Sequence, residues 1–236
     1  MKVLAIDTSL VVGSVALAVD GHPAGNVHFG KGSSHLVGIG GAVDRLLTSA
    51  GLLARDIDRV ALVQGPGSFT GLRIGMAYAK GLCAGLGVEM VVMSTLELLA
   101  MPLLRRGSTV CPLIDARKGE VYGAVYEPVE GCKPVRGGAL VEPCARDPRA
   151  FVLEAKSHSP IYVGSGAIRY RSVVESIDPA CSIENEQAAQ PSATLLAEIA
   201  PLLDPLSGKD MAALEPVYIR PSDAVFKPLK PIDPHG

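Results

Sequence analysis

Twice along this 236-residue chain a short apolar run ends in an aspartate, turns tightly and leads into a second strand-like run. The first instance is Ile6-Asp7 followed by Gly13–Val19. The second, about half the chain later, is Ile114-Asp115 followed by Glu120–Tyr126. Apolar runs of this length, bounded by turn residues, read as β-strands, and each pair reads as a hairpin. Two such hairpins, each heading half of the sequence, predict a duplicated α/β unit with a cleft between the halves.

The segments between them fit that plan. Val3–Ile6, Gly13–Val19 and Ala24–Phe29 read as strands. Leu36, Ile39, Val43, Leu46, Leu47 and Ala50 recur at helical spacing, and Gly51 is placed to end that helix. Arg59–Gln64 reads as a strand, Leu72–Gly85 as a helix, Met90–Met93 as a strand, and Ser94 as the cap of a helix over Thr95–Leu104. The first hundred residues therefore spell βββαβαβα. Arg105–Ser108 marks a boundary, giving subdomains over 1–105 and 106–236. The second half reads as strand Thr109–Ile114, a turn at Ala116–Gly119 and strand Glu120–Glu127. A Pro/Gly-rich stretch follows, holding at most one short strand (Ala139–Glu142). Then come helix Arg149–Lys156, strand Ile161–Val163, helices near Ile168–Ser176 and Thr194–Leu203, and a loose tail over Lys227–Gly236.

Composition removes several function classes. With 48% apolar and 19% charged residues the chain is not intrinsically disordered. Lys and Arg number 22 against 24 Asp and Glu, and there are four Phe, six Tyr and no Trp. That argues against a nucleic-acid binder working through a basic field or a stacking platform. The longest uncharged run, Val60–Leu72, is interrupted by Gly65-Pro66-Gly67, so no membrane span is expected. No leader peptide is legible, and the cysteines (83, 111, 132, 144 and 181) lack a CxxC pair. Reduced thiols and a cytoplasmic location follow as expectations. The histidines (22, 28, 35, 158 and 235) show neither HxxH nor HxxxH spacing, so no helical metal site is predicted.

The loop Gly65-Pro66-Gly67-Ser68-Phe69-Thr70-Gly71 joins a strand to a helix. Its glycines, with Ser68 and Thr70, suit a phosphate or carboxylate cradle at a helix N-terminus. They equally suit a tight crossover packed closely on its neighbours. Asp7 and Asp115 have two readings as well: carboxylates holding hydrated Mg²⁺ beside nucleotide phosphates, or acceptors of backbone N–H groups in their own turns. His35 reads as a helix-start residue and Cys83 as a core thiol. The helix from Leu72 is apolar nearly all round, with Arg73 and Lys80 as its charged stripe. Glycines at 38, 40, 41, 75, 81 and 85 would let helix backbones approach closely. These features predict a partner interface over the two helices, involving His35, Ile39, Arg73, Met76, Ala77 and Lys80.

Four stretches together resemble the bacterial TsaB (YeaZ) family. They are Leu4-Ala5-Ile6-Asp7-Thr8-Ser9, the run from Gln64 to Gly75 (QGPGSFTGLRIG), the run from Asp115 to Tyr122 (DARKGEVY) and Pro216-Val217-Tyr218-Ile219-Arg220. The resemblance implies a duplicated actin/hexokinase/Hsp70-like ATPase fold (ribonuclease H-like) in two subdomains. It implies a non-catalytic subunit that pairs with TsaD, works with TsaE in a larger complex and forms a homodimer when alone. That assembly adds a threonylcarbamoyl group to N6 of the adenosine beside the anticodon of ANN-decoding tRNAs. This chain would meet tRNA only indirectly, and ATP or ADP is conceivable at the subunit boundary. TsaD carries an HxxxH metal site; the matching positions here are Thr95 and Leu99, which cannot ligate a metal. One departure is Leu36-Val37 after His35, where the family usually has Ser-Glu. A small-molecule kinase or nucleotide-binding ATPase of the same fold, using Asp7, the glycine loop and Asp115, is the competing reading; a metallopeptidase fails for want of ligands.

Overall fold

The computed structural model describes residues 1–30, 35–128 and 138–220. The expected loose tail and Cys132 lie outside the described residues. Two five-stranded sheets carry the architecture. The first is built from β1 (Lys2–Asp7), β2 (Gly13–Val19), β3 (His22–Phe29), β4 (Arg59–Val63) and β5 (Glu89–Met93), in the order β3-β2-β1-β4-β5. The second is built from β6 (Val110–Arg117), β7 (Glu120–Tyr126), β8 (Ala139–Arg146), β9 (Ile161–Val163) and β10 (Ser182–Ile183), in the order β8-β7-β6-β9-β10. In each sheet the hairpin pairs antiparallel, while the leading strand pairs parallel with the fourth. The second sheet thus repeats the order of the first. The duplicated α/β unit expected from the two hairpins is therefore present, with one sheet in each half.

Helices α1 (His35–Ser49), α2 (Phe69–Leu86) and α3 (Thr95–Leu104) complete the first hundred residues in the expected order. The second half adds α4 (Pro148–Ala155), α5 (Ser165–Arg169), α6 (Arg171–Ile177), α7 (Ala193–Ile199) and α8 (Gly208–Ala213). The single helix expected near Ile168–Ser176 is therefore two short ones that meet at Tyr170. β6 also runs on through Asp115. The turn is confined to Arg117-Lys118-Gly119, all at positive φ.

Strand alternation sorts the core into layers. From the first sheet, Leu4, Ile6, Val15, Leu17, Val60 and Leu62 pack with α1 and α2. Val3, Ala5, Ala16, Ala18, Ala61 and Val63 face the other way. They meet α3 and α7, and on the far side of those helices lie Val110, Ile114, Ala124, Tyr126 and Val163 of the second sheet. Outside the second sheet, α4, α5 and α6 cover Cys111, Leu113, Val121, Val125 and Tyr162. One helical layer therefore serves both sheets. From α7 onward the chain also returns to the first half: Leu206, Met211 and Leu214 pack on the core under α2, and the Leu206 N–H donates to the Met90 carbonyl at 2.8 Å.

Candidate functional site

The hairpin turn of the first half is sealed. Asp7 ends β1 with 1% of its surface exposed, and its Oδ1 accepts the Ser9 N–H at 2.8 Å. Desolvation pushes this carboxyl up from 3.8 to about 6, against the lowering effect of the Ser9 N–H. The glycines of the loop and of α2 explain how the turn is buried. A Cβ on Gly67 would run into the Ser9 carbonyl, one on Gly71 into the Thr8 carbonyl, and one on Gly75 into the Thr8 hydroxyl. The Ser68 N–H donates to the Ser9 carbonyl at 2.7 Å, and Ser68 Oγ caps α2 by accepting from Gly71 at 3.2 Å. The glycine loop is thus a close-packed crossover, and the Ser68 N–H that a phosphate would need is already engaged. Thr8 Oγ1, Ser9 Oγ and Thr95 Oγ1 are buried with no hydrogen-bond partner.

The hairpin turn of the second half is charged, with the Asp115 side chain 12% exposed between exposed arginines. Asp115 Oδ1 accepts the Arg117 N–H at 3.0 Å, and Oδ2 lies 3.9 Å from the Arg117 guanidinium and 3.4 Å from that of Arg169. The Asp115 N–H donates to Ser165 Oγ at 3.2 Å. Between the two turns lies a cavity of about 180 Å³, lined by Leu10, Val11, Val12, Gly67, Ser68, Ile114, Asp115, Arg117, Ser165 and Gln190. The cleft expected from sequence is present and brings Gly67, Ser68 and Asp115 together. It does not gather the other candidates. Asp7 is sealed beneath its own turn, Gly65 sits under the Val217 backbone, and Thr70 is exposed on the first turn of α2. The two carboxylates differ as possible cation ligands: Asp7 is buried beneath its turn, and Asp115 faces two guanidinium groups. Among the described residues no cluster of three or more His, Cys, Asp or Glu is placed to hold a metal.

The expected interface helices need correction. Ile39 and Met76 are 2% and 5% exposed and belong to the core under the first sheet, so neither faces outward. Gly38 serves α1's approach to β3, since a Cβ there would stand 3.0 Å from the Phe29 ring. Arg73 and Lys80 are engaged within the chain. Arg73 Nε donates to the Tyr218 hydroxyl at 2.9 Å, and its guanidinium lies 4.0 Å over the Phe69 ring. Lys80 Nζ donates to the carbonyls of Ala212 and Leu214 at 2.9 and 2.7 Å. Ala77 is exposed, in a row with Gly81, Ala84 and Gly85. His35 opens α1, and its side chain lies outside the described residues. Cys83 is a core thiol, pushed by burial up to about 11.

The fourth motif was read as family signature alone, and the structure gives it contacts. The Val217 N–H donates to the Gln64 carbonyl at 2.8 Å, the Tyr218 and Phe69 rings lie 5.0 Å apart, and Arg220 pairs with Glu120 of the third motif at 2.8 Å. The fourth motif therefore joins the second motif to the third.

Residues 31–146 match the family model described as TsaD: tRNA N6-adenosine threonylcarbamoyltransferase. The tRNA threonylcarbamoyladenosine biosynthesis protein TsaB of Escherichia coli is 44% identical over 54% of this chain and 55% of its own length. The TsaB protein of Haemophilus influenzae is 28% identical over 93% of this chain and 94% of its own length. The crystal structure of YeaZ from Pseudomonas aeruginosa superposes with a TM-score of 0.74 at 26% identity, covering 92% of this chain and 99% of that one. The chain is similar to the TsaB (YeaZ) proteins along nearly its whole length. The YeaZ superposition takes in both sheets and the layer between them. The TsaD model covers only the stretch from just before α1 to the end of β8.

Proposed function

We propose that this chain is the non-catalytic, activating subunit of the assembly that makes threonylcarbamoyladenosine in tRNA, acting by pairing with TsaD. Support for the pathway comes from the TsaB relatives, which are named for that biosynthesis. The observation that carries the division of labour is on α3. The two positions that resemblance aligns with TsaD's metal ligands hold Thr95, fully buried, and Leu99, 3% exposed and part of the central core. Neither side chain supplies an imidazole, so metal-dependent transfer chemistry falls to the partner. The outer face of α1 and α2, with the exposed row Ala77, Gly81, Ala84 and Gly85, is the docking surface in this reading: TsaD in the complex, a second copy in isolation. TsaE joins the larger complex, tRNA contacts run through TsaD, and the work takes place in the cytoplasm. Among the described residues no helix is long and apolar enough to cross a membrane.

The test is reconstitution. Purified TsaD, TsaE and unmodified tRNA, with ATP, threonine and bicarbonate-derived threonylcarbamoyl donor, are assayed with and without this chain. Modification that depends on the chain, with no modification by the chain alone, is the expected result. Modification by this chain in TsaD's absence overturns the reading.

A further inference from the structure

The segment 212–220, which ends in the fourth motif, touches three separate parts of the molecule, and neither the cleft nor the docking surface uses it. At its start, the carbonyls of Ala212 and Leu214 hold Lys80 midway along α2. In its middle, the Val217 backbone lies against Gly65, where a Cβ would stand 2.9 Å from the Val217 carbonyl oxygen, and its N–H bonds Gln64. Tyr218 then stacks beside Phe69 and accepts from Arg73. At its end Arg220 reaches Glu120 at the start of β7, a residue of the other sheet.

We propose that residues 212–220 form a strap that couples the outward face of α2 to the second sheet. The physical basis is that both cations flanking the exposed Ala77–Gly81 row owe their orientation to the strap. An arginine laid over one aromatic ring and donating to the hydroxyl of another has few rotamers left to it. A lysine donating to two carbonyls is likewise fixed, and both carbonyls belong to the strap. The ion pair with Glu120 helps to fix the far end of the strap. A change in how the sheets stand across the cleft therefore alters strap tension at Tyr218, and with it the charge pattern that α2 presents. The coupling is internal to the chain. Only its consequence for partner affinity rests on the TsaD reading above.

Two conservative variants of the full chain test this by amide hydrogen exchange. Glu120→Gln removes the charge at the distal anchor and keeps its shape; Tyr218→Phe keeps the ring and removes the hydroxyl that Arg73 needs. Glu120→Gln is expected to speed exchange about threefold or more both in 212–220 and in the first turns of α2, some distance from the substituted residue. Tyr218→Phe is expected to do the same in α2 and 216–220 while leaving β7 unchanged. Acceleration confined to the β6–β7 hairpin in Glu120→Gln, or no change in α2 in either variant, overturns the strap. In parallel, affinity for purified TsaD from the same organism is measured. Weaker binding by about threefold in both variants extends the coupling to the partner. Equal binding by all three proteins despite a loosened strap overturns that extension. Failure of the unaltered chain to bind TsaD refutes the proposed function and leaves the strap decided by the exchange data.

Discussion

Asp7 and Asp115 occupy matching places in two copies of one supersecondary unit, at or near the end of the strand that leads each sheet, yet their surroundings differ. Asp7 is enclosed because α2 arrives with glycine at 67, 71 and 75 and lets the β1–β2 turn sink against the helix. Asp115 is partly buried but charged in its surroundings, with two arginines beside it and a serine from α5 bonded to its backbone. The close approach is itself duplicated. In the second half Gly164 and Gly166 bring the start of α5 against Leu113, two residues before Asp115. The contact in the second half therefore falls on the strand and in the first half on the turn. That shift of a few residues decides which carboxylate is desolvated and which is left for charged neighbours.

The largest effect is expected where the first contact is tightest. Gly75→Ala forces a methyl into the Thr8 hydroxyl, and a rigid helix on a central strand has little room to retreat. Loss of about 3 kcal/mol or more in urea unfolding is expected. Gly166→Ala, whose Cβ would stand 2.9 Å from the Leu113 carbonyl carbon, should cost less, about 1–2 kcal/mol. If Gly75→Ala is the milder of the two, the first turn is not the sealed one.

Asp7→Asn comes next. The folded carboxyl titrates near 6 and the unfolded one near 3.8, so the folded state holds the proton more tightly. Stability from this group is fully present below about pH 4 and is lost as pH rises through 6. A shift of roughly two units corresponds to about 3 kcal/mol, absent at pH 7. Asparagine keeps the acceptor for Ser9 and cannot ionise. The variant should be more stable than the native chain at pH 7, with the difference shrinking toward pH 4. A constant difference across that range removes burial as the distinction between the two aspartates.

Asp115→Asn should show the smallest effect. Its two guanidinium neighbours are 69% and 58% exposed, so the loss is expected at about 0.5–1 kcal/mol and should fade in high salt. A larger, salt-independent loss would make the second turn as enclosed as the first.

Much of this arrangement is legible in the sequence. The order βββαβαβα, the duplicated hairpin and the cap at Ser94 all come from local signals, periodicity and turn chemistry, that survive in the fold. What periodicity does not show is which neighbour covers an apolar face. α2 is apolar nearly all round, and its surplus suggests a partner. Yet Met76 points into the sheet, and Leu206, Met211 and Leu214, more than a hundred residues away in sequence, cover part of the rest. Arg73 and Lys80 look like a solvent stripe for the same reason: their hydrogen-bond partners lie at the end of α8 and just beyond it, more than a hundred residues away in sequence. β10, with two residues, is too short for any periodic signal. The glycine loop leaves two readings open because glycine serves ligand approach and backbone approach alike. Only the position of Thr8 and Ser9 decides between them.

The shared layer of α3 and α7 has a consequence for how the chain comes to be folded at all. α3 emerges early in synthesis, but α7, which closes the other half of that layer against β1 and β2, lies at residues 193–199. Until it arrives, the inner face of the first sheet has only half its cover. Asn26 on β3 bonds Thr194 across 168 residues of sequence, a separation that makes the final closure a long-range search. A nascent chain stalled before α7 would present an apolar sheet face to its neighbours, and that is the species on which chaperones should act.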